Sequence, residues 1–415
     1  MIINSKKVFF LTINLNAGGA ERQISELYKY LPVEKIICLE LGNSYNVPDE
    51  KIITLSKHTK SVSSIIKYLF MPVYLYRLYK AIKPDKNVIL ISFLDRANLL
   101  NSICKFFFKS ISIQSIRTNY THYCIQKKVP PILKKITIKS YKYADLVIGN
   151  SYGNTADLIE NFGTDKSKVT VINNFYDVEK ILYSSKENID FTIQGIFDNY
   201  TTITFVSRLD DKKGHFHLIR VLNALKKEGH HFKLFFIGEG TLKHKLIELC
   251  YLNHLTVFDA TKDIEIPTNC DVYFMGFQQN PYKFIANSSI FAFPSFFEGM
   301  PNALIEAIIC NTFCIAADCP SGPREIMAKD MSLKKVASVP ELTDFGYLMP
   351  PFSGEIILDN SPLNVTETMW KVIIIKSSAN KQMLNTDSFE LINRFEKEAI
   401  IKKWLNVFNL YAGTA

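Results

Sequence analysis

The stretch SIFAFPSFFEGMPNALIE, residues 289–306, changes character twice along its length. Apolar and aromatic residues crowd 289–295, as in a strand buried on both faces. Glu298-Gly299-Met300-Pro301-Asn302 then breaks the run, and Ala303-Leu304-Ile305-Glu306 reads as a helix start. Strand, glycine turn and helix form the unit of a parallel α/β sheet, and such sheets bind ligands at the carboxyl ends of their strands. Glu298 is expected on the loop and Glu306 about two turns into the helix, so that both reach one elongated ligand. Carboxylates accept hydrogen bonds from hydroxyls, which sugars and ribose present. The N–H groups of Gly299–Asn302 would face phosphate or sugar oxygen.

The same alternation extends in both directions. Strand-like runs read VFFLTI (8–13), KIICLEL (35–41), VILISF (88–93), ISIQSI (111–116), DLVIGN (145–150) and KVTVI (168–172). After a polar break they resume as TTITFVS (201–207), FKLFFIG (232–238), VYFMG (272–276), SIFAFPS (289–295) and TFCIAA (312–317). A chain of 415 residues with 47% apolar content suits two cores. The reading is α/β, two doubly wound Rossmann-like domains: 1–175, a linker at 176–200, and 201–390. A C-terminal helix at 391–415 is expected to cross back to the first domain, with Phe395, Ile400, Trp404, Phe408 and Tyr411 along one side. MIINSKKVFFLTINLN reads as a first strand and not a signal peptide, and no run reaches the roughly 18 apolar residues of a membrane span. Eight cysteines without zinc-type CxxC pairs read as reduced, buried thiols of a cytoplasmic protein.

Charge is unevenly spread. Residues 1–175 carry 25 Lys+Arg against 12 Asp+Glu, whereas the remainder carries 24 against 28. Segment 57–83 interleaves Lys57, Lys60, Lys67, Arg77 and Lys80 with aliphatic and aromatic residues, in the manner of interfacial helices. An anionic membrane surface is the expected partner. No nucleic-acid-binding motif accompanies the charge.

Three further loops follow strands. Gly18 and Gly19, in NAGGAER (16–22), let backbone approach a ligand closely. Arg208 and Lys213, in SRLDDKKG (207–214), supply a planar fork and a point charge suited to a diphosphate. Gly238 opens the third loop, GEG (238–240).

Together, the GG turn, R-x4-K, GEG and EGMPNALIE make the sequence resemble the retaining family 4 glycosyltransferases of GT-B fold, whose two domains face a central cleft. Residues 275–307 and SGPREI (321–326) are similar to bacterial enzymes that add N-acetylgalactosamine-type sugars to polyprenyl-diphosphate glycans. The resemblance is specific mainly in residues 201–326. It implies that Arg208 and Lys213 hold the diphosphate of a UDP-sugar and that Glu306 holds the ribose. Glu298 with Gly299, Met300 and Pro301 would hold the transferred sugar, with Asn302 at the helix start. Gly276 and Phe277 would lie near the base, and Gly18 and Gly19 near the phosphates. No D-x-D occurs, so no metal cofactor is expected. The family often places a histidine near the sugar; here the comparable region reads IRTNYTH (116–122), which leaves Arg117 or His122. The implied activity is transfer of a hexose or N-acetylhexosamine, with retention, to a lipid-linked acceptor at the inner face of the cytoplasmic membrane. A GT-B epimerase or hydrolase, or a non-catalytic GT-B partner protein, is the alternative.

Overall fold

The computed structural model describes all residues except 1–5, 17, 60, 85, 329–334, 380–391 and 413–415. The chain divides into two compact units: Met1–Phe175 with Lys397–Ala415, and Tyr176–Glu396.

The first unit is built on seven parallel strands: β1 (Lys7–Thr12), β2 (Lys35–Cys38), β3 (Ile52–Thr54), β4 (Val88–Phe93), β5 (Ile111–Ile116), β6 (Leu146–Gly149) and β7 (Val169–Val171), in the order β3-β2-β1-β4-β5-β6-β7. Successive side chains of a strand face opposite ways, so the sheet feeds two apolar layers. Phe10, Ile36, Ile91 and Ile148 enter one, and Phe9, Leu11, Ile37 and Leu90 enter the other. The helix Lys397–Ala412 adds Ile400, Trp404 and Phe408 to the first layer. Their four-residue spacing puts them on one face. Phe395 instead packs beside Tyr176 in the second unit.

The second sheet contains β8 (Thr201–Val206), β9 (Phe232–Ile237), β10 (Val257–Asp259), β11 (Val272–Phe274), β12 (Ile290–Phe293), β13 (Cys314–Ala317), β14 (Glu341–Thr343) and β15 (Gly346–Met349). Its order is β10-β11-β9-β8-β12-β13-β15-β14, parallel except for the antiparallel β14–β15 pair. The expected linker at 176–200 is instead part of this unit. Its polar residues are helix caps: Asp177 accepts from the Lys180 N–H, and Asp190 from those of Thr192 and Ile193. The helices so started are Val178–Ser185 and Phe191–Asn199, and the second buries Ile193, Ile196 and Phe197 against Phe235 and Tyr273. All eight cysteines are buried and none is bridged.

Strand order decides where function can sit. It reverses between β1 and β4 in the first sheet, and between β8 and β12 in the second. At such a point the flanking helices diverge to opposite faces and leave a crevice at the carboxyl edge.

Candidate functional site

In the second unit the reversal brings the loop after β8 against the loop after β12. The first turns through Asp211–Lys213 into Gly214, whose φ is +68°, and a Cβ there would lie 2.4 Å from the Pro294 carbonyl oxygen. Only glycine fits so close an approach. The Phe296 N–H donates to the Lys212 carbonyl at 2.8 Å. Lys213 Nζ lies 2.6 Å from Glu298 Oε1, with both side chains largely buried. Each lysine also sits over a ring, Lys213 5.7 Å from the Phe293 centroid and Lys212 5.1 Å from that of Phe297. Burial pushes the Glu298 carboxyl up, but Lys213 and Lys212 outweigh it, and the group stays below its ordinary value. Burial lowers the Lys212 ammonium, with Glu298 opposing. Behind them, His215 is fully buried with Nε2 2.8 Å from Ser207 Oγ, and burial with nearby Lys213 drives it well below the usual histidine value.

The loop after β12 leads into the helix Asn302–Ile309. Glu306 is its fifth residue, so it lies just past the first turn and not two turns in, and it is only 2% exposed. Gly299, Met300 and Pro301 are buried, and the Tyr176 hydroxyl donates to Asn302 Oδ1 at 2.7 Å. Gly322, at φ +104°, presses the SGPREI segment onto this loop, since a Cβ there would come within 2.3 Å of Pro301 Cδ. Arg324 braces that segment from inside, with Nε donating to Asp318 Oδ2 at 2.9 Å and Nη1 to Glu341 Oε2 at 3.2 Å. On the other side, the GEG loop seats backbone to backbone on Ser207–Leu209: Leu209 N–H donates to the Glu239 carbonyl at 3.1 Å and Gly238 N–H to that of Gly276 at 2.8 Å. Phe277 is 53% exposed beside it. Arg208 stands at the rim, exposed and 3.1 Å from Asp210.

Lys213, Glu298 and residues 299–302 therefore share one crevice, while Gly238, Gly276 and Phe277 belong to the adjoining loops. Sequence reasoning passed over Lys212, His215 and Tyr176. The KK pair was visible, but the fold alone shows which loop it grips.

In the first unit the Gly18 backbone is extended, and both its N–H and its carbonyl bond the Tyr45 hydroxyl, at 2.8 and 2.7 Å. Gly19 opens the helix Gly19–Tyr30. Arg117 follows β5, donates to Asn174 Oδ1 at 2.6 Å and lies 5.1 Å over the Phe93 ring. His122 is half-buried, and burial lowers its pKa against the pull of Asp157. Asp95, which the sequence reading left out, directly follows β4 and the left-handed Leu94 (φ +73°). It accepts from the Tyr141 hydroxyl at 3.2 Å, and burial raises it to about 6.

The basic segment needs one correction. Lys67 does not face outward: it is buried and donates to the buried Glu40 at 3.0 Å, and Arg96 pairs with the same carboxylate. The two cations together offset the burial of that carboxylate, which draws the lysine inward. Lys60 lies outside the described residues. Lys57, Arg77 and Lys80 are exposed. So are Ile65 at 74% and Leu69 at 75% within the same segment, and Ile125 at 69% and Ile132 at 71% further along the first unit. No helix among the described residues is long and apolar enough to cross a membrane.

Two doubly wound units of this topology define the GT-B architecture. Solved structures agree over nearly the whole chain. Anabaena HepE in complex with UDP aligns with a TM-score of 0.71 at 15% identity, over 97% of this chain and 100% of that one. Sucrose-phosphate synthase of Thermosynechococcus elongatus aligns with a TM-score of 0.73 at 14% identity, over 99% and 100%. The model of the glycosyl transferases group 1 matches residues 186–336. An uncharacterized glycosyltransferase of Methanocaldococcus jannaschii is 31% identical over 345 residues, covering 79% of this chain and 81% of the relative. The N-acetylgalactosamine-N,N'-diacetylbacillosaminyl-diphospho-undecaprenol 4-alpha-N-acetylgalactosaminyltransferase of Campylobacter jejuni is 31% identical over 332 residues, or 78% and 84%. The chain belongs to the group 1 glycosyl transferases.

Proposed function

We propose that the protein transfers an N-acetylhexosamine or hexose, with retention, from a UDP-sugar to a polyprenyl-diphosphate-linked glycan at an anionic membrane surface. The observation that carries this is the Lys213–Glu298 pair at the crevice between β8 and β12, beside the helix start at Asn302. Cation, ionised carboxylate and helix N–H groups there match a diphosphate joined to a hydroxyl-rich sugar. Two comparisons support the reading: the Campylobacter relative's name specifies a diphospho-undecaprenol acceptor, and HepE was crystallised with UDP.

In this mechanism Lys213 and Arg208 take up charge on the departing diphosphate as the bond from the anomeric carbon to phosphate oxygen breaks. The acceptor hydroxyl bonds the anomeric carbon from the same face, and its proton passes to the leaving phosphate oxygen. Glu298 holds the sugar hydroxyls, and Glu306 the ribose. No metal takes part, because fixed cations and helix N–H groups supply the stabilisation. Ile65, Leu69, Ile125 and Ile132, among the lysines of the first unit, give the membrane an apolar and cationic surface.

Calorimetric titration with nucleoside diphosphates tests the donor. UDP should bind and stabilise the fold by mass action. A chain that binds ADP or GDP but not UDP would refute the assignment.

A further inference from the structure

Three successive residues of the loop after β12 are held between two successive lysines, one contact each. The Phe296 N–H goes to the Lys212 carbonyl, the Phe297 ring lies under the Lys212 ammonium, and the Glu298 carboxylate goes to Lys213. In the ligand-free protein Lys213 is committed to Glu298 at 2.6 Å. If Lys213 turns to the donor's diphosphate, a carboxylate only 6% exposed loses its ion-pair partner. Buried carboxylates without a counter-charge take up a proton or shift position, and either would spoil a group meant to accept sugar hydroxyls.

We infer that Lys212 is a positioning residue: its ammonium is the counter-charge that keeps Glu298 ionised and in place once Lys213 engages the diphosphate. The inference rests on the proposed roles of Lys213 and Glu298 and adds a residue to them. Lys212 is suited to this. Its carbonyl accepts from the Phe296 N–H and its ammonium rests 5.1 Å over the ring of Phe297, the residue before Glu298, so its charge is held beside the carboxylate by contacts that do not involve Lys213. Its own charge is opposed by Lys213 and Arg208 and supported by Glu298 and Asp210. The Cys319 thiol, from the loop after β13, also faces Glu298, and burial keeps it protonated.

The test follows Glu298 directly. Carbon-13 spectra of the full chain labelled at glutamate carboxyls, with the Glu298 signal assigned by its loss in Glu298→Gln, are recorded against pH with and without UDP. In the parent the Glu298 titration should stay depressed when UDP is bound. In Lys212→Met it should rise by about one pH unit on UDP binding, because the Lys212 charge no longer offsets the burial of the carboxyl. Lys212→Arg should behave like the parent. In transfer assays Lys212→Met should lower kcat about tenfold while UDP affinity stays within about twofold, and the acid limb of kcat should move up with the carboxyl. UDP that binds while Lys212→Met titrates and turns over like the parent would overturn the role of Lys212 alone. Failure of UDP to bind, or parental turnover by Glu298→Gln, would overturn the donor-site reading beneath it.

Discussion

Replacing Lys213 by Met keeps the length of the side chain and removes its charge, leaving Glu298 buried beside an apolar thioether. The side chains concerned are 14% and 8% exposed, so water cannot simply take the place of the ammonium. Losing one partner of a buried pair costs about 3–5 kcal/mol. Lys212 remains nearby, which places the expected loss at the low end, about 3 kcal/mol. For a unit of this size each kcal/mol moves the midpoint by about 2–4 °C, so melting of the second unit should fall by roughly 6–12 °C at pH 7. Glu298→Gln removes the charge left behind, and the double variant should recover most of the loss. A coupling of about 2 kcal/mol is expected in the cycle. The pH dependence has a definite sign. Glu298 is depressed in the folded state, so the pair's contribution is complete above the unfolded carboxyl value of about 4.3 and is lost as pH falls through the folded value. The gap between parent and Lys213→Met should therefore close in acid. Differential scanning calorimetry from pH 3 to pH 8, buffers matched, measures all of this. A Lys213→Met variant melting within about 2 °C of the parent at pH 7, or a gap that widens in acid, would refute the reasoning.

The two carboxylates should separate kinetically. Glu306→Gln should weaken UDP and UDP-sugar alike and appear mainly in KM, whereas Glu298→Gln should leave UDP affinity near parental and lower kcat strongly; calorimetry beside steady-state kinetics decides it. At the membrane, Ile65→Ser with Leu69→Ser should weaken sedimentation with phosphatidylglycerol vesicles about tenfold, at roughly 0.7 kcal/mol for each partly inserted side chain. Lys67→Gln should instead lower the first unit's melting midpoint, because it leaves the buried Glu40 with Arg96 alone of its two cations, and leave vesicle binding per folded molecule unchanged.

Much of the architecture is legible in the sequence because parallel strands buried on both faces read as unbroken apolar runs. Val88–Phe93 and Ile111–Ile116 stand in the structure with the bounds their patterns suggest. The strands that escape notice are short: Ile52–Thr54, Val257–Asp259 and the β14–β15 hairpin offer too few residues for a period to declare itself. Residues 176–200 read as a linker because their polar residues interrupt the apolar rhythm, whereas in the structure Asp177 and Asp190 cap two helices of the second unit. At the site, spacing along the chain identified Glu298 and Lys213 separately. What joins them across 85 positions is the adjacency of β8 and β12, a property of strand order that no local pattern encodes. The same limit explains Lys67: its segment mixes basic with apolar residues, and only the position of Glu40, two residues beyond β2, turns it inward.

The protein is proposed to move a sugar from a UDP donor to a lipid-linked glycan using only its own fixed charges. The most direct measurement is transfer of radiolabelled N-acetylgalactosamine from its UDP donor to a short-chain polyprenyl-diphosphate glycan, in EDTA, with UDP-galactose and UDP-N-acetylglucosamine run alongside. One of these donors should label the acceptor, and the product's anomeric proton should report the configuration of the donor. Labelling that appears only when Mg²⁺ or Mn²⁺ is restored, an inverted product, or release of free sugar without labelled acceptor would contradict the account.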